Sequence, residues 1–260
     1  MKTSEYMEAA GEVAHIASAN AMLYYRTAVD TDLKQDRSPV TIADLSSEQL
    51  AREWIENRFP SDGILGEEYG TVRADAVRRW IIDPIDGTRA FVRGVPFWGT
   101  LVAVLEGDTV MAGAASYPAL DEFLVAGLGE GAWWNESRCA ASKVDDLSSA
   151  TVLATDARFK DDPVKLERWL ALAARAGMSR TWGDCVGYLL VATGRAEVMV
   201  DPIVSAWDIA ALMPAIVEAG GVFTDWEGKS VCGTSAIATN AALGDVVRDI
   251  LIPRTGAQQR

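Results

Sequence analysis

The chain has 260 residues, of which 49% are hydrophobic and 23% charged, a composition typical of a folded globular protein rather than a disordered one. Its 37 acidic and 24 basic residues give a net charge of -13, so we expect no nucleic-acid partner and no binding to an anionic membrane. The three cysteines, Cys139, Cys185 and Cys232, lie far apart in no metal-ligand spacing, which excludes a disulfide scaffold and a zinc ribbon.

The first half of the chain predicts two helices followed by strands. Apolar residues at helical spacing predict a helix over residues 4–28, and Ser46 to Gln49 resembles a capping box that opens a second helix before Pro60. Five short apolar segments then predict strands: Ile64–Leu65, Trp80–Ile82, Thr100–Leu105, Val110–Ser116 and Glu122–Ala126. The Glu-Gly-Asp at residues 106–108 predicts a hairpin turn. We therefore expect an α+β first half.

The N-terminal segment bears on location and on chemistry. It carries acidic residues where a signal peptide needs a basic start and an apolar run, and no later apolar stretch approaches the roughly 20 residues of a membrane span. We therefore expect a cytoplasmic protein. The one histidine of the chain, His15, falls in the first predicted helix, where a structural role is favoured over a serine triad.

The second half changes to strands and helices in alternation. Strands are predicted near residues 151–155, 178–182, 197–200, 222–225 and 236–239, and helices near residues 163–176, 185–193 and 243–252. Ser205 is predicted to cap a further helix that runs to Glu218, in which Pro214 kinks the axis or marks the first turn. We place the boundary near residue 145, with an α+β half over 1–145 and an α/β half over 146–260 that pack as one unit.

Acidic residues collect around one predicted strand. Glu67 and Glu68 follow Gly66, and Asp83 and Asp86 follow the strand that begins at Trp80. Carboxylates this close need a cation to stay ionised, and oxygen ligands without histidine or cysteine favour magnesium or manganese over zinc. Directly after Asp86, the N–H groups of a Gly-Thr pair at a predicted helix start are suited to a phosphate. The alternative is that the two aspartates only form a turn beside a proline.

Three separated motifs stand out in the sequence: GEE at 66–68, WIIDPIDGTRAF at 80–91 and WDIAALMPAIVEAGG at 207–221. In their order and spacing they resemble the inositol monophosphatase superfamily of magnesium-dependent, lithium-sensitive phosphatases. The resemblance runs from about Lys34 to Asn240. It implies a layered α-β-α-β-α sandwich, a homodimer, and two or three Mg²⁺ ions per active site, with Mn²⁺ as a substitute.

The resemblance also implies roles for individual residues. Positions that hold the catalytic metals in the family match Glu67, Asp83, the Ile85 carbonyl, Asp86 and Asp208. Thr88 and Asp44 match a hydroxyl and a carboxylate that, together with Glu67, orient the attacking water, so these three are the expected catalytic residues. Glu68 matches a neighbour of the metals, and Lys34 lies where relatives place a basic residue near an active-site flap.

The substrate is indicated by weaker signals. Residues 89–105 and 182–202 look most like the histidinol-phosphate phosphatase branch of the superfamily. Expected substrate contacts are Asp86, Gly87, Thr88, Arg89, Asp184 and Asp201. Because histidinol carries an ammonium and an imidazole, carboxylates at positions 184 and 201 would bind it by charge-assisted hydrogen bonds. The alternatives within the superfamily are an inositol-1-monophosphatase or another small-molecule phosphatase, such as one acting on fructose bisphosphate or phosphoadenosine phosphate.

Other classes fit the motifs less well. A haloacid-dehalogenase-type phosphatase needs D-x-D-G-T, whereas two residues separate the acids here. The G-x-G-x-x-A pattern at 127–132 resembles a dinucleotide fingerprint but is followed by WWNES instead of an amphipathic helix, so a hairpin turn is predicted there. A non-catalytic metal-binding regulatory dimer of the same fold stays open, although the retained acids, Thr88 and Asp44 favour an enzyme.

Overall fold

The computed structural model describes residues 2–34, 38–156, 158–159 and 162–252. The strands in this part of the chain are β1 (Thr31–Leu33), β2 (Pro39–Thr41), β3 (Gly63–Gly66), β4 (Gly70–Val72), β5 (Arg78–Asp86), β6 (Gly99–Glu106), β7 (Thr109–Tyr117), β8 (Glu122–Gly127), β9 (Gly131–Trp134), β10 (Ser137–Arg138), β11 (Thr151–Ala154), β12 (Met178–Arg180), β13 (Val198–Asp201), β14 (Gly221–Thr224) and β15 (Ala236–Asn240). The helices are α1 (Thr3–Met22), α2 (Ile42–Arg58), α3 (Thr88–Phe91), α4 (Pro163–Ala173), α5 (Asp184–Ala192), α6 (Ala206–Ile209), α7 (Met213–Glu218) and α8 (Gly244–Leu251), with a 3-10 turn at Leu147–Ser149.

Two sheets organise the molecule. The first has eight strands in the order β10-β9-β8-β7-β6-β5-β3-β4, antiparallel except for the β3–β5 pair. The second has five strands in the order β12-β11-β13-β15-β14, and β11 runs parallel to both of its neighbours. β1 and β2 form a separate hairpin. The parallel pairs matter for the site because their strands end at the same edge of each sheet.

Helices cover both faces of each sheet. α1 and α2 pack on one face of the first sheet, where Ala14 and Trp80 are fully buried in one cluster. α5, α6 and α7 lie between the sheets, and their central cluster joins Leu101 of the first sheet to Leu189 of α5. α4 and α8 pack on the outer face of the second sheet around Trp169. The expected layered α-β-α-β-α sandwich is therefore confirmed.

The two halves share the central cluster. Residues from both sheets contribute to it, and the chain passes from the first sheet to the second between residues 138 and 151. The boundary near residue 145 stays a prediction. None of the helices in the described ranges combines the length and the hydropathy of a membrane span.

Helix boundaries are where the sequence predictions were wrong. α1 ends at Met22 instead of residue 28, because the chain turns at Arg26 (φ 60°) and the Tyr25 hydroxyl donates to the Gly94 carbonyl at 2.7 Å. α2 begins at Ile42, before the predicted capping box. The residue that caps it is Thr41, whose hydroxyl accepts the Ala43 N–H at 3.1 Å.

The helix predicted from Ser205 to Glu218 is two short helices, α6 and α7. Pro214 lies in the first turn of α7, where its missing N–H costs no hydrogen bond, as one of the two predicted alternatives required. The chain between them packs so closely on β7 that a Cβ at Gly113 would lie 2.1 Å from the Ala211 carbonyl oxygen. The break therefore follows from the proline and from this contact. Both predicted hairpin turns, at 106–108 and 127–131, are confirmed.

Candidate metal and phosphate site

Asp83 and Asp86 lie at the carboxyl end of β5. In a regular strand, residues three apart point to opposite faces. The pairing of β5 with β6 shifts register between these two aspartates, and this irregularity turns both carboxylates towards one side. Asp208, in the single turn of α6, approaches from the second half of the chain. One carboxylate oxygen from each of the three aspartates lies within 4.8 Å of the other two.

Mutual repulsion and burial dominate the electrostatics of this cluster. Burial, followed by the charges of Glu67, Asp86 and Asp208, raises the pKa of Asp83 well above its ordinary value. Burial also raises the pKa of Asp208 to about 7, although the Ser205 N–H donates to its Oδ2 at 2.7 Å. Three carboxylates that resist ionisation together form a site that a divalent cation would stabilise.

The side chain of Glu67 approaches the same cluster from the end of β3. The backbone N–H of Glu67 donates to the Ile82 carbonyl at 3.2 Å, which extends the parallel β3–β5 pairing by one hydrogen bond. Lys34 Nζ donates to Glu67 Oε1 at 2.7 Å and to Glu68 Oε1 at 2.6 Å. Burial lowers the pKa of Lys34, but these two hydrogen bonds outweigh it and leave the pKa above its ordinary value. Burial raises the pKa of Glu68 to about 7.

A tight turn joins β5 to α3. Gly87 adopts a left-handed conformation (φ 85°), and a Cβ there would lie 2.7 Å from the Phe97 carbonyl oxygen, so only glycine fits. The Thr88 hydroxyl that follows lies 2.9 Å from the Ile85 carbonyl oxygen and 3.4 Å from Asp44 Oδ1. A hydroxyl has one proton, so it donates to one of these acceptors at a time.

Asp44 is fully buried in the first turn of α2. Its Oδ2 accepts both the N–H and the hydroxyl of Thr41, at 2.8 and 2.7 Å. Oδ1 is the oxygen that faces Thr88. Burial raises the pKa of Asp44, and the Thr41 hydrogen bonds oppose that rise.

A cavity of about 80 Å³ continues from the three-aspartate cluster into the second half of the molecule. Among its lining residues are four carboxylates, Asp86, Asp184, Asp201 and Asp208, with Thr155 and Tyr188. Burial raises the pKa of Asp184 to about 6, and the positive charge of Arg89 opposes that rise. Asp201 is 5% exposed and accepts the Thr155 N–H at 3.3 Å and the Tyr188 hydroxyl at 2.8 Å.

Comparison with known proteins assigns the chain to a family. The sequence profile described as the inositol monophosphatase family matches residues 2–252. The chain belongs to the inositol monophosphatase family. It is 40% identical to a protein named histidinol-phosphatase from Chlorobaculum parvum, over 92% of this chain and 93% of that protein. A second histidinol-phosphatase, from Mycobacterium tuberculosis, is 40% identical over 83% of this chain and 85% of that protein.

The fold comparison agrees with the sequence comparison. An inositol monophosphatase from Zymomonas mobilis superposes with a TM-score of 0.86 at 28% identity, covering 95% of this chain and 98% of that one. The family resemblance inferred from three motifs and the phosphatase class that it implies are confirmed. The assignments of individual site residues stay predictions.

For this family member, the structure brings together most of the residues that the motifs singled out. Asp83, Asp86 and Asp208 form one cluster and Glu67 borders it, while Asp44 and Thr88 lie side by side. Asp184 and Asp201 share a cavity with Asp86, and Arg89 is close enough to Asp184 to influence its charge. His15 instead stacks on Phe123, with ring centroids 4.1 Å apart, on α1.

Three residues that contact the site were missed. Thr155 and Tyr188 hold Asp201, and the Cys185 N–H donates to Asp86 Oδ2. Thr155 directly follows β11, a strand in parallel pairs, and the ends of such strands are where sites form in α/β sheets. That rule was the available signal for Thr155. Tyr188 and Cys185 depend on tertiary packing that no local pattern encodes.

Proposed function

We propose that this protein is a magnesium-dependent phosphatase that hydrolyses L-histidinol phosphate to L-histidinol and phosphate, a step of histidine biosynthesis. The observation that carries the proposal is the cavity lined by Asp86, Asp184, Asp201 and Asp208, which adjoins the candidate metal cluster. A phosphate held at the metals would leave its alcohol portion directed towards these acids. The two relatives named histidinol-phosphatase support the same substrate.

The candidate substrates differ in the charge of the alcohol that carries the phosphate. Histidinol carries an ammonium and a titratable imidazole, whereas inositol is neutral. Asp184 is the more available partner, since both oxygens of Asp201 already accept hydrogen bonds from the protein. A charge-assisted hydrogen bond from the substrate ammonium to Asp184 would stabilise the complex, and a neutral alcohol would supply no positive charge to this half-buried carboxylate.

The donor set of the cluster fits magnesium. Asp83, Asp86 and Asp208 supply carboxylate oxygens and Glu67 borders them, while the family resemblance adds the Ile85 carbonyl; oxygen atoms of these kinds are the ligands that hard cations prefer. These residues would hold two or three ions, with Mn²⁺ as a substitute. Bound magnesium would neutralise charge on the phosphate and lower the pKa of a coordinated water.

The chain's own residues orient the attacking water. Asp44 is fixed by Thr41, so its second oxygen is directed at the Thr88 hydroxyl. A proton from the nucleophilic water would pass to this Thr88–Asp44 pair, with the Glu67 carboxylate beside it as a further acceptor. The N–H groups of Gly87 and Thr88, at the start of α3, would donate to the phosphate. Asp83 and Asp86 would be occupied as metal ligands, so we expect direct attack by water without a phosphorylated aspartate.

A phosphate-release panel tests the substrate. We would compare kcat/KM for histidinol phosphate, inositol monophosphate, phosphoadenosine phosphate and fructose bisphosphate in magnesium, using wild type, Asp184→Asn and Asp201→Asn. We expect wild type to prefer histidinol phosphate, and Asp184→Asn to raise its KM by about tenfold or more, because one charge-assisted hydrogen bond contributes about 1.5–3 kcal/mol. The effect of Asp201→Asn should be smaller. Asp145→Asn, at an exposed position, is the matched control.

The outcomes separate the alternatives. A wild-type preference for inositol monophosphate would contradict the proposed substrate but not the phosphatase activity. Absence of phosphate release from every ester would support a non-catalytic metal-binding regulator instead.

We further propose that the protein is a cytoplasmic homodimer; the dimer is what its membership of the inositol monophosphatase family implies. Sedimentation equilibrium of the purified chain checks the dimer, and a mass of one chain at micromolar concentration would contradict it.

A further inference from the structure

Glu48 is a buried carboxylate that lies outside the three family motifs. It follows Asp44 by four residues on α2, so the two acids lie one turn apart on the same face of the helix. Its exposed fraction is 0%. Burying a carboxylate costs free energy unless hydrogen-bond donors surround it. The partners of Glu48 therefore indicate what it does.

Those partners are the backbone of the turn that carries Glu67. Glu48 Oε2 accepts the Glu68 N–H at 2.7 Å, and Oε1 accepts the Tyr69 N–H at 3.2 Å. Arg52, one turn further along α2, donates its Nε to Oε1 at 2.7 Å. The same guanidinium donates through Nη2 to the Gly70 carbonyl. Glu48 and Arg52 thus bind both the N–H and the C=O groups of the turn between β3 and β4.

Gly66 shows how closely the turn lies against this carboxylate. A Cβ at Gly66 would be 2.0 Å from Glu48 Oε1 and 2.8 Å from Arg52 Nη2. The first residue of the GEE motif is therefore glycine because the Glu48 carboxylate occupies the place of a side chain.

Glu67 is held from both sides as a result. Its own N–H is bound to β5 through the Ile82 carbonyl, and the next two N–H groups are bound to Glu48. With the backbone fixed at three successive residues, the Cα–Cβ bond of Glu67 has a fixed direction, and its carboxylate lies within hydrogen-bonding reach of Asp83.

We propose that Glu48 is a positioning residue for the metal site, which fixes the backbone of residues 66–69 and thereby aims the Glu67 carboxylate, while Arg52 holds Glu48 in place. The inference rests on the metal-binding part of the proposed function. It makes α2 a support for two parts of the site, since the same helix face carries Asp44.

Glu48→Gln is the informative substitution because it keeps size and shape. The carboxylate accepts from donors at both oxygens, but an amide has one oxygen that accepts and one nitrogen that only donates. If the amide nitrogen replaces Oε2, it faces the Glu68 N–H. If it replaces Oε1, it faces the Arg52 guanidinium and the Tyr69 N–H. Either orientation sets two donors against each other and loosens the turn.

The test measures Mg²⁺ binding directly. Isothermal titration of metal-stripped wild type, Glu48→Gln and Glu53→Gln with MgCl₂ should show affinity lowered tenfold or more in Glu48→Gln, the range for residues that support metal ligands. Glu53, on the same helix but exposed, is the matched control and should stay within twofold of wild type. Amide hydrogen exchange should speed up at Glu68 and Tyr69 and stay unchanged at Val102 in β6.

The outcomes separate this inference from the function on which it rests. A wild type that binds no Mg²⁺ contradicts the proposed function itself. A folded Glu48→Gln variant with wild-type Mg²⁺ affinity contradicts only the positioning role. If Glu48→Gln does not fold, Glu48→Asp takes its place, because it keeps both oxygens but sets them back by one methylene. We expect intermediate affinity in Glu48→Asp, and wild-type affinity there would equally overturn the proposal.

Discussion

At the residue scale, Asp44 divides its two carboxylate oxygens between two tasks. Oδ2 accepts two hydrogen bonds from Thr41 and so completes the start of α2, while Oδ1 faces the Thr88 hydroxyl. The capping interaction fixes the rotation of the carboxylate, and its second oxygen then has a fixed direction. A structural hydrogen bond thereby orients a candidate catalytic group.

Removal of the Thr88 hydroxyl tests this arrangement. We expect Thr88→Val to lower kcat by about 10²–10⁴-fold, the usual contribution of a positioned proton-transfer group, with little change in Mg²⁺ affinity. Thr88→Ser keeps the hydroxyl and should stay within about tenfold of wild type. Single-turnover phosphate release measures both rates. Equal rates in the valine and serine variants would show that the hydroxyl takes no part.

The raised pKa of Asp201 predicts that the stability of the protein depends on pH. Burial raises its pKa from 3.8 to about 7 in the folded protein, so the folded state holds the proton more tightly than the unfolded state. The free energy of unfolding then falls as the pH rises from about 4 to about 7. Asp201→Asn removes this contribution, and its amide can still accept the Thr155 N–H and donate to Tyr188.

Urea unfolding in EDTA between pH 5 and pH 8 tests whether the free energy of unfolding falls as the pH rises. Wild type should lose more stability over this range than Asp201→Asn, by about 1 kcal/mol or more, since each unit of pKa difference corresponds to about 1.4 kcal/mol. Parallel pH curves for the two proteins would contradict the raised pKa.

At the element scale, strands were easier to predict than helix ends. The five strands β3 and β5–β8 were located from apolar runs because their side chains are buried on both faces of the first sheet. The short strands β1, β2, β4, β9 and β10 were missed; three of them, β1, β4 and β10, have no buried residue and therefore no apolar run to indicate a strand. The start of α2 was misplaced because Thr41 to Asp44 and Ser46 to Gln49 both fit a capping pattern, and local sequence does not rank them.

The site residues, like the strands and helix ends, were predictable where a local pattern encodes them and not where they depend on tertiary packing. Spacing alone indicated Glu67, Asp83 and Asp86, which lie at the ends of neighbouring strands β3 and β5. Asp208 needed the family pattern, because its helix is far away in sequence and reaches the cluster only through packing of the second half. Glu48 was missed, since its function depends on a backbone contact with a turn about 20 residues later.

At the scale of the whole molecule, the candidate site exists only where the two halves meet. The first sheet supplies Asp83 and Asp86, and the second half supplies Asp208 and the acidic cavity. Packing of the halves therefore brings together carboxylates that repel one another, in a chain whose net charge is already -13. We therefore expect these carboxylates to destabilise the packing of the two halves when no cation is bound.

Asp83→Asn should separate function from stability at this interface. The variant removes a carboxyl that folding must either protonate or bury as a charge beside Asp86 and Asp208, and the asparagine oxygen can still accept the Ile85 N–H that Asp83 Oδ1 accepts at 3.0 Å. In EDTA at pH 8 we expect its Tm to exceed that of wild type by a few degrees, because about 1 kcal/mol shifts Tm by about 2–4 °C in a protein of this size. At a magnesium concentration about 100 times the wild-type Kd, wild type should gain about 2.7 kcal/mol and become more stable than the variant, which loses a ligand and its phosphatase activity. Differential scanning calorimetry of both proteins, with and without MgCl₂, measures the crossover, and Asp145→Asn controls for a change in net charge at an exposed position. A variant less stable than wild type in EDTA, or equally stabilised by magnesium, would contradict the view that these acids are held together for a cation.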